Sequence, residues 1–360
     1  MNEENNSRAL SSKRWVRMTM KLAKVVGVAV AVLTVAAAIY VARSWDRVWS
    51  LPEPDLHASA DPAIIKRGEY LVYGPAHCVE CHVSSSDEIE RAADRGTRPV
   101  LAGGMRFAAA PLGEMYSRNI TPDIETGIGR YTDGQIARML RSSVRPDGRA
   151  SVRLLMPYGD MSDADIVAIL SYLRAQPAVS HRIPDNEWSI VGKVVKSFAP
   201  VFQPRTEVHP ASEPPQGPTA ARGEYLARSV ANCAACHTAR SPVSFAAIRP
   251  EFAGGNEMEP AERAGVDRRV WFRTPNLTPA AGSALSKFPD RDTFIARFQR
   301  GGRQHPGSPM PWEAFGTMSA DDLTALYEFL HSLPSQKGPT GDPRFRKGYA
   351  SESGSGWGQS

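Results

Sequence analysis

The chemistry-bearing residues of this chain fall into two tight groups. Cys78 and Cys81 are followed at once by His82, and Cys233 and Cys236 by His237; the chain has no other cysteine. Two thiols one helical turn apart can add to the two vinyl groups of a single haem. The histidine that follows then presents its imidazole to the iron from the same side, so C-x-x-C-H reads as c-type haem attachment. A structural zinc site would want four Cys or His ligands in one place. A thioredoxin-like pair would want a βαβ setting. The expectation is two covalently bound haem c groups, one on Cys78, Cys81 and His82 and one on Cys233, Cys236 and His237.

A second axial ligand on each iron must come from elsewhere. Methionine is a common choice in cytochromes c, because a thioether favours ferrous iron and raises the potential. Met156 and Met310 lie 78 and 77 residues after their first haem cysteines, and each is followed by proline and an aromatic. The proline fixes a loop that can present the sulfur, so the iron ligands are read as His82 with Met156 and His237 with Met310. Methionine is more often core filler, and Met161, Met318, Met105 and Met115 compete on that ground. The remaining histidines (His57, His77, His181, His209, His305 and His331) have no paired equivalents and read as surface or capping residues.

The elements that must position these groups come in two copies. Arg67-Gly-Glu-Tyr-Leu71 recurs as Arg222-Gly-Glu-Tyr-Leu226, and in both copies the first haem cysteine follows the arginine by 11 residues. Ala102-Gly-Gly104 recurs as Ala253-Gly-Gly255, Asn119-Ile-Thr-Pro122 as Asn276-Leu-Thr-Pro279, and Met156-Pro-Tyr as Met310-Pro-Trp. Met161-Ser-Asp-Ala-Asp-Ile is echoed by Met318-Ser-Ala-Asp-Asp-Leu. Self-similarity in a fixed order at a period of about 155 residues marks a duplicated unit. The expected domains are 60–178 and 216–335, joined by a proline-rich connector over 179–215 and followed by a flexible tail over 336–360. Within the connector, Trp188 to Phe198 is amphipathic enough to pack on a domain.

Each unit reads as helical. Ser162-x-x-Asp165 and Ser319-x-x-Asp322 are N-terminal capping signals opening apolar-periodic runs. Ile166, Ile169, Leu170 and Leu173 share one face of the first, and Leu323, Leu326, Tyr327 and Leu330 one face of the second. Thr132 or Asp133 caps a third helix carrying Ile136, Met139 and Leu140. No alternating strand pattern competes, so the fold class is all-α.

Val25 to Ala42 is an uncharged apolar run that would span ~27 Å as a helix, about the thickness of a hydrocarbon core. Tyr40 and Trp45 sit at its far end, as interfacial aromatics do. Before it, residues 1–24 carry six basic side chains against Glu3 and Glu4, so the positive-inside rule puts that tail in the cytoplasm and the rest outside. A cleaved signal peptide would have a shorter apolar region ending at a small-residue site. The expectation is therefore a single-pass anchor in the bacterial inner membrane with both haem domains in the periplasm. The net charge of +5 resides almost wholly in that tail, and a clustered basic face for nucleic acid is not supported.

The order of these words, R-G-E-Y-L, C-x-x-C-H, A-G-G, N-[IL]-T-P, M-P-[YW] and M-S-x-x-D, resembles the cytochrome c subunits of membrane-bound alcohol, aldehyde and gluconate dehydrogenases. The resemblance covers about 60–335. It implies two tandem cytochrome c domains that accept electrons from a catalytic subunit carrying flavin or a quinone cofactor. Those electrons would pass on to membrane quinone, another cytochrome or a terminal oxidase. Such subunits usually carry three haem motifs where this chain has two. The chain holds no dinucleotide fingerprint, nucleophile elbow or phosphate loop, so catalysis is expected on another polypeptide. The alternative is a di-haem enzyme, such as a peroxidase or thiosulfate dehydrogenase, which needs one haem with an open ligand position. The matching Met-Pro-aromatic words in both units argue against that asymmetry.

Overall fold

The computed structural model describes residues 2–109, 111–241, 245–261, 263 and 265–347. Helices are its main regular elements. A long first helix, α1 (Asn2–Ser44), precedes α2 (Pro62–Tyr73), α3 (Ser86–Asp94), α4 (Asp133–Ser142) and α5 (Asp163–Ala175). The linking segment holds α6 (Ile190–Phe198). The second repeat contains α7 (Ala220–Tyr225), α8 (Cys233–Cys236), α9 (Arg291–Gln299), α10 (Trp312–Phe315) and α11 (Ala320–Ser332).

The caps form where side-chain oxygens can satisfy the orphan amides of a first turn. Ser162 accepts from the Asp165 amide, Ser319 from that of Asp322, and Thr132 closes a reciprocal capping box with Gln135. Thr132, not Asp133, is thus the cap of α4. Ile166, Ile169, Leu170 and Leu173 are buried along α5, as are Leu323, Leu326 and Leu330 along α11. Against these faces pack α2 and α7 respectively. The contact is close because Gly68 and Gly223 have no side chain. A Cβ on Gly68 would lie 1.8 Å from the Ala168 carbonyl oxygen, and one on Gly223 1.9 Å from that of Ala325. The buried apolar side chains of both repeats form one continuous core.

The structure corrects the all-α expectation by adding two small antiparallel sheets. Strands β1 (Arg106–Ala109), β2 (Gly113–Tyr116) and β3 (Glu187–Trp188) pair in that order; so do β4 (Glu257–Met258), β5 (Val270–Arg273) and β6 (Arg344–Arg346). At two to four residues each, these strands are too short to show alternation. Each third strand comes from outside the two expected domains: β3 from the connector and β6 from the tail. Arg344–Arg346 is therefore a paired strand; positions 348–360 of the expected tail lie outside the described residues.

α6 also departs from expectation. It turns most of its apolar side chains outward rather than onto a domain. Gly192, Lys196 and Ser197 are its buried residues, and Ile190, Val191, Val194 and Phe198 are exposed. The 28-residue stretch Arg17–Ser44 of α1 is long and apolar enough to cross a membrane, and none of it is buried against the protein.

Candidate functional sites

Three of the repeated words, C-x-x-C-H, A-G-G and N-[IL]-T-P, do their structural work around a histidine. In the first copy His82 follows a short helical turn begun by Cys78, after His77 takes a left-handed backbone conformation (φ 41°). In the second, Asn232 (φ 51°) does the same before Cys233. The imidazole Nδ1 of His82 lies 2.8 Å from the Arg118 carbonyl, and that of His237 lies 2.9 Å from the Pro275 carbonyl. A carbonyl can only accept, so Nδ1 carries the proton and Nε2 is left with a lone pair able to take a metal. Burial lowers both histidine pKa values, which favours the neutral imidazole that a ligand requires.

The carbonyls that orient the histidines belong to residues just before the N-[IL]-T-P words. The Asn119 side-chain oxygen accepts from the Thr121 amide and hydroxyl, and its nitrogen donates to the Val179 carbonyl. Asn276 repeats this with Thr278 and the Gln336 carbonyl. The A-G-G words close the other side: Gly103 donates to the His82 carbonyl and Gly254 to that of His237, both at 2.9 Å. Both glycines have φ near +70° and lie so close to the next segment that a Cβ would meet its backbone at 2.5 Å.

In the first repeat Cys78, Cys81, His82 and Met156 line one cavity of about 770 Å³, within the range of about 300–1,000 Å³ usual for cofactor sites. Its apolar wall includes Ile120, Ile136, Leu140, Leu155 and Ile169, and Arg118, Arg130, Arg145, Arg182 and Lys196 bring positive charge to it. Met115 and Met139 line it too. The sequence pattern marked Met139 only as a helix-face residue, and its presence here depends on how α4 docks. Met161 and Met318 are buried in the core instead. In the second repeat Met310 packs partly buried on that core, as does Cys233, while Cys236 is exposed. Burial pushes the Cys78, Cys81 and Cys233 thiols up to about 12, opposite to the depressed value that a thiol–disulfide oxidoreductase needs. No cluster of three or more His, Cys, Asp or Glu placed to hold a metal ion occurs among the described residues.

The two repeats lock together through their R-G-E-Y-L words. Arg67 pairs with Asp165 through two contacts of 3.0 and 3.2 Å, and Arg222 with Asp322 through contacts of 2.9 and 3.3 Å. The tyrosines then cross over. Tyr70 donates to Asp322 at 2.6 Å and accepts from the Ser319 amide; Tyr225 donates to Asp165 at 2.7 Å and accepts from the Ser162 amide. Burial, followed by the neighbouring Asp322 charge, pushes the Tyr70 phenol up to about 12.

A second, unrepeated network joins the first cysteine motif to the Met310 loop. Arg303, with only 5% of its side chain exposed, pairs with Glu80 and Glu313. It also donates to the carbonyls of Ser308 and Met310, the latter at 2.5 Å. Arg263 adds contacts to Glu90 and Glu313. Glu80 stands between Cys78 and Cys81, so the second repeat's loop is held by the first repeat's haem motif. His77 sits edge-on to Phe315, and His181 lies against the Ala102 carbonyl.

No family model matches the chain. Curated relatives do. The chain is 32% identical to the cytochrome c subunit of a quinone alcohol dehydrogenase from Gluconobacter oxydans, over 77% of this chain and 56% of that protein. It is 30% identical to the gluconate 2-dehydrogenase cytochrome c subunit of Pantoea cypripedii, over 76% of this chain and 60% of that one. A diheme cytochrome c-type protein of Cereibacter sphaeroides is 27% identical over 59% of this chain and 67% of its own length. The chain thus spans 56–60% of the two dehydrogenase subunits. The resemblance read from the repeated words is to cytochrome c subunits of dehydrogenases, and these relatives carry it.

Proposed function

We propose that this chain is a membrane-anchored di-haem cytochrome c that carries electrons from a periplasmic dehydrogenase towards the respiratory chain, on its quinone or oxidase side. The observation that carries the reading is the convergence of Cys78, Cys81, His82 and Met156 on one cavity. A haem attached there would supply reversible one-electron chemistry at its iron. Cys78 and Cys81 would tether it, His82 would ligate through Nε2, and Met156 would offer its sulfur as the second ligand. Cys233, Cys236, His237 and Met310 take the same roles in the second repeat. The carbonyls of Arg118 and Pro275 hold each imidazole in its ligating tautomer. The apolar wall would pack on the faces of a haem, and the arginines of the lining would meet its anionic propionates.

The two units, 60–178 and 216–335, would be cytochrome c domains, with α1 the bilayer anchor. The relatives support a dehydrogenase catalytic subunit as the electron donor. Chemistry on a substrate would then reside in that partner, whose cofactor does the work.

The test is purification of the tagged full-length chain in mild detergent. The expected result is two covalently bound haems per chain and a stoichiometric dehydrogenase subunit with its flavin or quinone cofactor. A chain that emerges alone with two reducible haems would remain an electron carrier but lose its place in a complex. A chain without covalent haem overturns the proposal.

A further inference from the structure

The helix α6 is built inside out. Its N-terminus is capped by Ser189, which accepts from the Gly192 amide. Of its nine residues, those turned inward are Gly192, Lys196 and Ser197, and those most exposed are Ile190 (82%), Val191 (47%), Val194 (41%) and Phe198 (58%). Positions 190, 191, 194 and 198 fall on one stripe at helical spacing. A water-facing helix places its apolar stripe against the core, so this one awaits an apolar covering.

What covers it follows from where it sits. The Phe198 ring stacks on Tyr40 of α1 at 5.1 Å, at the outer end of the apolar run. Lys193 lies over the Trp45 ring at 4.6 Å, and Lys196 reaches Trp45, Trp188 and Asp46. The polar side of α6 is thus fastened to the residues that leave α1, and its apolar stripe continues the exposed apolar surface of that helix.

We propose that α6 is an interfacial helix, lying in the outer headgroup region of the bilayer with Ile190, Val191, Val194 and Phe198 immersed. The occupant is lipid. This rests on the reading of α1 as a bilayer anchor. Short helices with one apolar face and flanking lysines bind in the interfacial plane, and aromatic residues such as Phe198, Tyr40 and Trp45 suit that depth. The consequence for the site is direct. Trp188 and Lys196 line the first cavity from the opposite side of the same segment, so that cavity stands just above the membrane surface. The second repeat has no such helix among its described residues.

The test uses the full-length holoprotein in nanodiscs of phosphatidylcholine and phosphatidylglycerol. Nitroxide labels are placed one at a time at Val194→Cys, Val191→Cys, Leu33→Cys in α1, and Ile248→Cys, an exposed site in the second repeat. The wild-type chain, its cysteines occupied by haem, sets the labelling background. Collision rates with oxygen, which partitions into lipid, and with a water-soluble nickel chelate are compared. The expected oxygen-to-nickel ratio at Val194 and Val191 approaches that at Leu33 and exceeds that at Ile248 several-fold. A water-like ratio at 194 and 191 beside a lipid-like ratio at Leu33 overturns the proposal and leaves the anchor standing. Labels at 194 and 191 that are immobilised and shielded from both reagents mean a protein partner covers the stripe, which overturns it as well. A water-like ratio at Leu33 removes the anchor and this proposal with it.

Discussion

The two repeats agree wherever their words agree and part where the words differ. Arg67 and Arg222, Gly68 and Gly223, Tyr70 and Tyr225, and Asp165 and Asp322 do the same jobs at nearly the same distances. Between the cysteines the copies diverge: Val79-Glu80 in one, Ala234-Ala235 in the other. Glu80 reaches across to Arg303 and, through it, to the Met310 loop; an alanine at the matching place can offer no such contact. Shared residues give a symmetric interface, and unshared ones give one repeat a hold on the other.

The largest effect is expected at the tethers. Replacing Cys78 and Cys81 by alanine should halve the covalently bound haem measured by pyridine haemochrome, and replacing Cys233 and Cys236 should do the same. Unequal losses would end the equivalence of the sites. Met310→Ala should lower one of two midpoint potentials in a redox titration and Met156→Ala the other, if each supplies the thioether ligand proposed for it. Two unshifted haems in either variant would show that another side chain is the ligand, with Met115 or Met139 the alternatives to Met156.

Next in size are the helix contacts. Gly68→Ala and Gly223→Ala force a methyl group into a backbone carbonyl, and each should cost more than about 3 kcal/mol in denaturant unfolding. Asp165→Asn and Asp322→Asn each leave an arginine short of its partner, at about 3–5 kcal/mol where the arginine is fully enclosed. The two should differ. The Arg222 side chain is 6% exposed and that of Arg67 30%, so the loss at Asp322 should be the greater. Equal losses would show that burial of the cation does not set the cost.

The smallest effect is a pH dependence. With its folded pKa raised to about 12 from 10, Tyr70 binds its proton more tightly in the native state. Its contribution is whole below pH 10 and is lost as pH rises through 12. Up to about 2 kcal/mol of stability should fade over that window. Tyr70→Phe, compared with wild type by unfolding at pH 8 and above pH 11, should abolish that part of the slope.

Much of this architecture was legible in the residues. The haem motifs, the repeated words, and the caps at Ser162 and Ser319 are local signals, and short-range chemistry defines them. The strands were not, because pairs such as Glu187–Trp188 exist only through their partner across the sheet. Periodicity showed that the segment ending at Phe198 has an apolar face, but not which way it turns; the contact with Tyr40 decides that. The crossing of Tyr70 and Tyr225 was hidden for the same reason, since a repeat reveals two copies without revealing how they meet.

Tyr70 and Tyr225 each reach the aspartate of the other copy. Contacts in which each copy offers its partner the same patch are those of an isologous dimer, here written into a single polypeptide. In a homodimer every substitution lands on both faces at once, so a carboxylate such as Glu80 would arrive twice and need two arginines to meet it. Once the copies are fused, each face mutates alone. A one-sided bond like that between Glu80 and Arg303 becomes accessible to selection only then, and with it two cysteine–histidine sites that can differ while their frame stays symmetric.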